Sequence, residues 1–168
     1  MRVDNLTALK LDPALRECDL HLRRLHYALT QLEGKLPLSA ALWPALDDET
    51  VADIDQLLFR YAKLQDAMGL RLFPAILMLG AEWRDEETFI DKLDRLEKIG
   101  ALPSAERWNE LRLIRNRMTH EYPDAPEQNA ENLNQVHSSI PDLEAALNQA
   151  TSFAKALVAR ITAQNRTP

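Results

Sequence analysis

The chain has 168 residues, a net charge of −6 from 20 basic and 26 acidic side chains, and a single cysteine, Cys18. This length fits one domain, residues 1–168, which can bury enough surface to fold without disulfides or a metal. The acidity argues against a broad basic surface for indiscriminate nucleic-acid binding, so no DNA partner is expected. A lone cysteine excludes an internal disulfide framework and a multi-cysteine zinc site.

Neither a targeting segment nor a membrane span is evident. The N-terminal stretch MRVDNLTALKLD lacks the apolar core of a signal peptide. The longest apolar stretch, LFPAILMLGA at 72–81, is about half the length needed to cross a bilayer. Together with the low cysteine content, these features predict a cytoplasmic protein without a membrane partner.

No stretch alternates between apolar and polar residues as a strand does, so we expect an all-α fold. The pattern predicts an up-and-down bundle of four to five helices. The first helix is predicted over about 13–33, with Asp12 as its N-cap and Pro13 in its first turn. Gly34 is expected to end it.

A second long helix is predicted to begin near residue 49, after LDDE. We expect Gly69 and Pro74 to bend or break it before the apolar segment 75–79. Its predicted apolar face consists of Ile54, Leu57, Leu58, Tyr61, Leu64 and Met68.

Two shorter helices are predicted next. The third covers about 86–99 and ends at Gly100, and its predicted inward residues are Phe89, Ile90, Leu93 and Leu96. Ser104 is expected to cap the fourth, which reaches about residue 121, and Pro123 prevents its continuation.

The segment 126–164 has the most regular pattern. Pro141 is expected to kink it, which allows either one bent helix or two helices. Packing inside the bundle is favoured over a separate coiled coil. Its apolar residues recur in steps of three and four: Leu133, Val136, Ile140, Leu143, Leu147, Ala150, Ala154, Leu157 and Ile161.

The stretch RLIRNRMTHEYP, residues 112–123, carries the candidate chemistry. On a helix, Arg112, Asn116 and His120 are four residues apart and share one face. The buried stripe beside them is predicted to consist of Trp108, Leu111, Ile114 and Met118. His120 falls near the helix end, where the dipole favours a protonated imidazole that can exchange a proton near neutral pH.

This set of side chains suits the cleavage of an RNA phosphodiester. A base must remove the proton of the attacking 2′-hydroxyl, and a guanidinium stabilises the charge that builds on phosphorus oxygens. Arg115 and His120 lie five residues apart, about 140° around an ideal helix, so they do not share a narrow face. A two-fold dimer that brings two copies of the helix together solves this problem.

The R-x4-H-x-Y pattern of Arg115, His120 and Tyr122 resembles the signature of HEPN domains, in particular the HepT-like toxins of bacterial toxin–antitoxin pairs. FRYAKLQDAMG at 59–69 is similar to a helix of one HepT-like subgroup. The resemblance implies a metal-independent endoribonuclease that acts as a homodimer on RNA. Arg115 and His120 would be its catalytic pair, with Asn116 as the polar residue beside the arginine.

The same resemblance implies a nucleotidyltransferase antitoxin that silences the toxin by transferring AMP to Tyr122. Arg112 and Arg117 are equally consistent with RNA contact and with a solvated surface. No ligand cluster for a metal and no glycine-rich phosphate loop is present, so no cofactor is expected.

Other interpretations remain open at this point. His120 could be a C-terminal helix cap beside solvated arginines, or the chain could be a non-catalytic accessory subunit that binds a nucleotide or a nucleotidyltransferase. It could also be a helical interaction protein that uses the 133–161 seam. Arg60, Lys63 and Asp66 suggest a salt bridge on a helix surface or, alternatively, support for the motif. Structural roles are favoured for Cys18, His21, His26 and His137.

Overall fold

The computed structural model of the chain describes residues 3–118 and 124–164. Within these two segments the chain forms helices and connecting turns without a β-strand, which confirms the prediction of an all-α bundle. No helix in the described segments is long and apolar enough to span a bilayer. The α-helices are α1 Val3–Leu6, α2 Asp12–Gln31, α3 Asp48–Ala67, α4 Phe73–Leu79, α5 Phe89–Lys98, α6 Ala105–Met118 and α7 Pro126–Gln164.

Two π-helical turns join helices end to end. Thr7–Leu11 connects α1 to α2, and Met68–Leu72 connects α3 to α4. The predicted break near Gly69 and Pro74 is therefore a change of helix type, in which the chain stays helical throughout. A π turn closes i→i+5 hydrogen bonds, and here the Asp12 N–H reaches the Thr7 carbonyl.

The prediction that Asp12 is an N-cap is wrong. Leu11 and Asp12 both have right-handed helical dihedral angles, because the chain enters α2 directly from the π turn. Pro13 still occupies the first turn of α2, as predicted, and Pro74 occupies the equivalent place in α4. Each proline thus lies two residues after the last residue of a π turn. The two π turns are in contact with each other.

The apolar seam of α7 faces the interior of the bundle. All its predicted residues from Leu133 to Leu157 are buried, and Ile161 is half-buried. This confirms packing within the bundle, so the seam is not available as an outer interaction surface. The possible division at Pro141 is not observed. Pro141 lies inside α7 on its solvent-exposed side, away from the buried seam.

The shorter helices differ from prediction at their ends. α5 begins at Phe89, because Thr88 and Asp91 form a capping box there. Ile90 is 57 % exposed and does not face inward, because α5 packs through the stripe of Phe89, Leu93 and Leu96. Ser104 Oγ accepts from the Arg107 N–H at 3.1 Å, as expected for the cap of α6. The predicted end of this helix, residues 119–121, lies outside the described residues.

Candidate functional site

A pocket of about 230 Å³ lies where α6 packs against the end of α3 and its π turn, beside the start of α5. Its polar lining comes from α3 and α6, and its aromatic lining comes from α5 and α6. The lining residues are Gln65, Asp66, Gly69, Leu70, Phe89, Trp108, Arg112, Arg115 and Asn116.

Helical spacing explains how these residues meet. Trp108, Arg112 and Arg115 are four and three residues apart, so they form one stripe of α6. Gln65 and Gly69 are also four residues apart, and they face this stripe from the end of α3 and the π turn. Trp108 is buried in the core, as its spacing predicts, and it also lines the pocket together with the two arginines.

Arg115 is held in place by Asp66. Its Nη2 donates to both carboxylate oxygens of Asp66, at 3.0 and 3.1 Å. Its Nη1 lies 3.4 Å from Oδ1 of Asn116, a long contact, and its buried Nε has no hydrogen-bond partner among the described residues. A guanidinium carries five N–H donors, so Arg115 is oriented by Asp66 and keeps donors for a ligand.

Arg112 supplies a second guanidinium to the same pocket. Its Cζ lies 4.8 Å from the centre of the Phe89 ring, a cation–π distance that holds the exposed side chain over the aromatic wall. Two guanidinium groups and one carboxylate leave this pocket with a local positive charge in an acidic chain. The charge and the planar donors suit a phosphate.

Two further donors, which belong to residues that line the pocket, lack a partner. Nε2 of Gln65 and Nε1 of Trp108 are buried and have no hydrogen-bond partner within the described segments. Their residues are 4 % and 1 % exposed. An unpaired buried donor costs about 1–3 kcal/mol, so a ligand that presents acceptors here would relieve that cost.

Predicted site residues fall into three groups. Arg112, Arg115 and Asn116 line the pocket together. Arg117 instead donates to Oε1 of Gln135 at 3.1 Å, at the contact between α6 and α7. His120 and Tyr122 lie outside the described residues.

Of Arg60, Lys63 and Asp66, the structure places Asp66 in a partly exposed salt bridge with Arg115 of the motif. Arg60 instead points its Nη1 at Nδ1 of His21, 3.2 Å away. Lys63 lies over the Phe59 ring. Gln65 was not predicted as a site residue, although an amide four residues before a glycine on the apolar face of a helix is a usable signal.

The remaining titratable candidates are structural. Cys18 is buried, and burial raises the pKa of its thiol to about 12, so it is not a reactive thiolate. His21 is buried between α2 and α3, and desolvation followed by the Arg60 charge lowers its pKa. Over residues 3–118 and 124–164, no group of three histidine, cysteine, aspartate or glutamate residues could hold a metal ion.

Comparisons with models of known protein families, with curated proteins and with solved structures found no match. The geometry of the pocket and the motif in residues 112–123 are therefore the two features that indicate a function. Both converge on Arg115, which belongs to the motif and lines the pocket.

Proposed function

We propose that the chain is a metal-independent endoribonuclease toxin of the HEPN, HepT-like type, active as a homodimer and paired with a nucleotidyltransferase antitoxin. The geometry of Arg115 is the observation that supports this proposal most. Arg115 is fixed by Asp66 on one side and keeps donors on the other, inside a pocket that has local positive charge. A guanidinium prepared in this way matches the charge of a phosphoryl transition state.

In the proposed reaction the 2′-oxygen of a ribose attacks the neighbouring phosphorus. A bond forms between phosphorus and the 2′-oxygen, and the bond to the 5′-oxygen of the next nucleotide breaks. The products are a 2′,3′-cyclic phosphate and a 5′-hydroxyl end. His120 takes the proton from the 2′-hydroxyl, the leaving 5′-oxygen takes a proton from water, and the proton on His120 then returns to water, so protons balance and no metal is used.

Arg115 binds the non-bridging oxygens, whose negative charge grows as the fifth bond to phosphorus forms. Asp66 acts as a positioning residue, since it touches Arg115 and not the phosphate. Arg112 attracts the strand at the pocket mouth, and Asn116 contacts the phosphate or orients the histidine.

Silencing follows from the same electrostatics. AMP transferred to Tyr122 by the antitoxin would place a phosphate two residues from His120 and close along the chain to Arg115. The added negative charge would compete with the RNA phosphate for the guanidinium groups.

The test is cleavage of single-stranded RNA by the purified chain in EDTA, with intact mass measured on the same sample. We expect Arg115→Ala and His120→Ala each to lower the cleavage rate about a hundredfold or more. Arg117→Ala is the matched control, because it removes a neighbouring charge that does not line the pocket. Equal cleavage by all variants, or no cleavage by chain of unmodified mass, would overturn the proposal.

A second candidate is a non-catalytic accessory subunit that binds a nucleotide. The unpaired donors of Gln65 and Trp108 favour it, because they suit a bound ligand whether or not chemistry follows. Nucleotide binding that survives His120→Ala in a chain without RNA turnover would support this candidate over the nuclease.

A further inference from the structure

The pocket lining contains two chemically different sets of side chains. Arg112 and Arg115 are cationic and suit a phosphate. The Phe89 ring, the Trp108 indole and the Gln65 amide line the same pocket, and Arg112 lies over the Phe89 ring. Phosphate alone explains the first set and leaves the second without a role.

Gly69 keeps a gap open between the two aromatic rings. A Cβ at this position would lie 3.6 Å from Cζ2 of Trp108 and 3.7 Å from Cζ of Phe89. Any side chain here would therefore occupy the space between the rings. The glycine lies within the π turn, a helix type that is frequent at functional sites.

We infer that Gln65, Trp108, Phe89 and Gly69 form a subsite for one unpaired nucleobase. The inference rests on the proposed function, because a phosphate on Arg115 is what places the neighbouring base beside these residues. Unpaired bases are recognised by stacking on aromatic rings and by hydrogen bonds to their edges. The pocket, at about 230 Å³, is below the size of pockets that hold drug-sized ligands, and it suits a single base.

The two unpaired donors define what a ligand must present. Nε1 of an indole can only donate, and Nε2 of the Gln65 amide donates as well. Carbonyl oxygens and ring nitrogens of a base can accept both bonds. All four RNA bases carry at least two such acceptors, so the donors suit a base of any identity.

Equilibrium binding to the full chain tests this subsite, with guanosine 5′-monophosphate and ribose 5-phosphate as the two probes. We expect the nucleotide to bind at least tenfold more tightly than the sugar phosphate. Gln65→Leu and Trp108→Phe should reduce this preference below threefold and leave the affinity for ribose 5-phosphate unchanged. Trp43→Phe, in another pocket, is the matched control and should change neither affinity.

A steric variant separates loss of the subsite from loss of the fold. Gly69→Ala adds one methyl group between the rings at ordinary contact distances, and alanine is the better residue in a helix. The thermal midpoint should therefore not fall, whereas guanosine 5′-monophosphate binding should weaken at least tenfold. Equal binding of both probes by the wild type, or an unchanged preference in these variants, would overturn the inference.

The subsite and the nuclease can fail independently. Cleavage of RNA that depends on Arg115, with no preference for the nucleotide over the sugar phosphate, would refute the subsite and leave the nuclease standing. A base preference that Gln65→Leu abolishes, in a chain that cleaves no RNA, would refute the nuclease and support the subsite. Displacement of the bound nucleotide by single-stranded RNA then distinguishes a strand from a free nucleotide as the natural source of the base.

Discussion

Both carboxylate oxygens of Asp66 on α3 accept hydrogen bonds from Nη2 of Arg115 on α6, across 49 residues of sequence. The two side chains are each about one-third exposed, so water and salt screen their attraction. Pairs of this kind contribute about 0–1 kcal/mol to stability. The main role of this ion pair is therefore to orient the guanidinium of Arg115.

Asp66→Asn tests this role. The amide keeps the shape of the side chain but loses the charge and one acceptor, so Arg115 should become less well oriented. We expect RNA cleavage to fall about tenfold while the free energy of unfolding changes by less than about 1 kcal/mol. Kinetics and urea unfolding on the same preparation measure both. Asp55→Asn, on the exposed side of the same helix, is the control. Cleavage at the wild-type rate would show that Asp66 does not position the arginine.

A buried hydroxyl pair joins α3 to α7. Ser139 Oγ donates to the Val136 carbonyl at 2.8 Å, so the Tyr61 hydroxyl, also 2.8 Å away, must be the donor in the pair. Ser139→Ala would leave this buried hydroxyl without an acceptor, at a cost of about 1–3 kcal/mol. Tyr61→Phe removes the donor and should cost less. Urea unfolding measures which of the two single variants is less stable. The double variant should be more stable than Ser139→Ala alone. The reverse order would mean that Ser139 is the donor.

His21 predicts a pH dependence of stability. Burial and then the Arg60 charge lower its pKa from 6.5, with smaller contributions in the same direction from Lys63 and Arg24, while Glu17 opposes them. Between pH 6.5 and the lower pKa of the folded state, the unfolded chain binds a proton at His21 that the folded chain does not bind, so stability falls as pH falls through this window.

His21→Asn keeps an acceptor for Arg60 and removes this titration. We expect the difference in unfolding free energy between about pH 7.5 and about pH 5.5 to be smaller in the variant, by up to about 1.4 kcal/mol per pH unit. Urea unfolding at both pH values measures this. An identical pH dependence in the two proteins would show that the fold does not shift this imidazole.

The capping box of α5 gives a prediction about stability alone. Thr88 Oγ1 accepts from the Asp91 N–H at 3.2 Å, and Asp91 Oδ2 accepts from the Thr88 N–H at 3.0 Å. Thr88→Ala should cost about 1 kcal/mol in urea unfolding. Thr30→Ala is the matched control, because Thr30 only donates back to the His26 carbonyl within its own helix. Equal effects of the two changes would mean that the box contributes nothing.

Periodicity predicted most of the helices and the interior face of α7, because these properties depend on residues a few positions apart. It did not predict the pocket. Gln65 and Trp108 each fit a helix face in the sequence pattern, and only the packing of α3 against α6 shows that both residues line the same pocket. The π turns were also missed, since glycine and proline in a helical pattern indicate an interruption without saying of which type.

The π turn at Met68–Leu72 accommodates one extra residue without changing the phase of the helices on either side. Five residues of a π turn rotate the chain about as far as four residues of an α-helix, which is about 400°. Leu70 is 73 % exposed, so the core does not depend on its side chain. Its deletion should therefore return the turn to α-helical geometry and leave Phe73 and Ile76 in the core. The length of the chain can thus change by one residue here, whereas the fully buried Met68 and Leu72 tolerate little substitution.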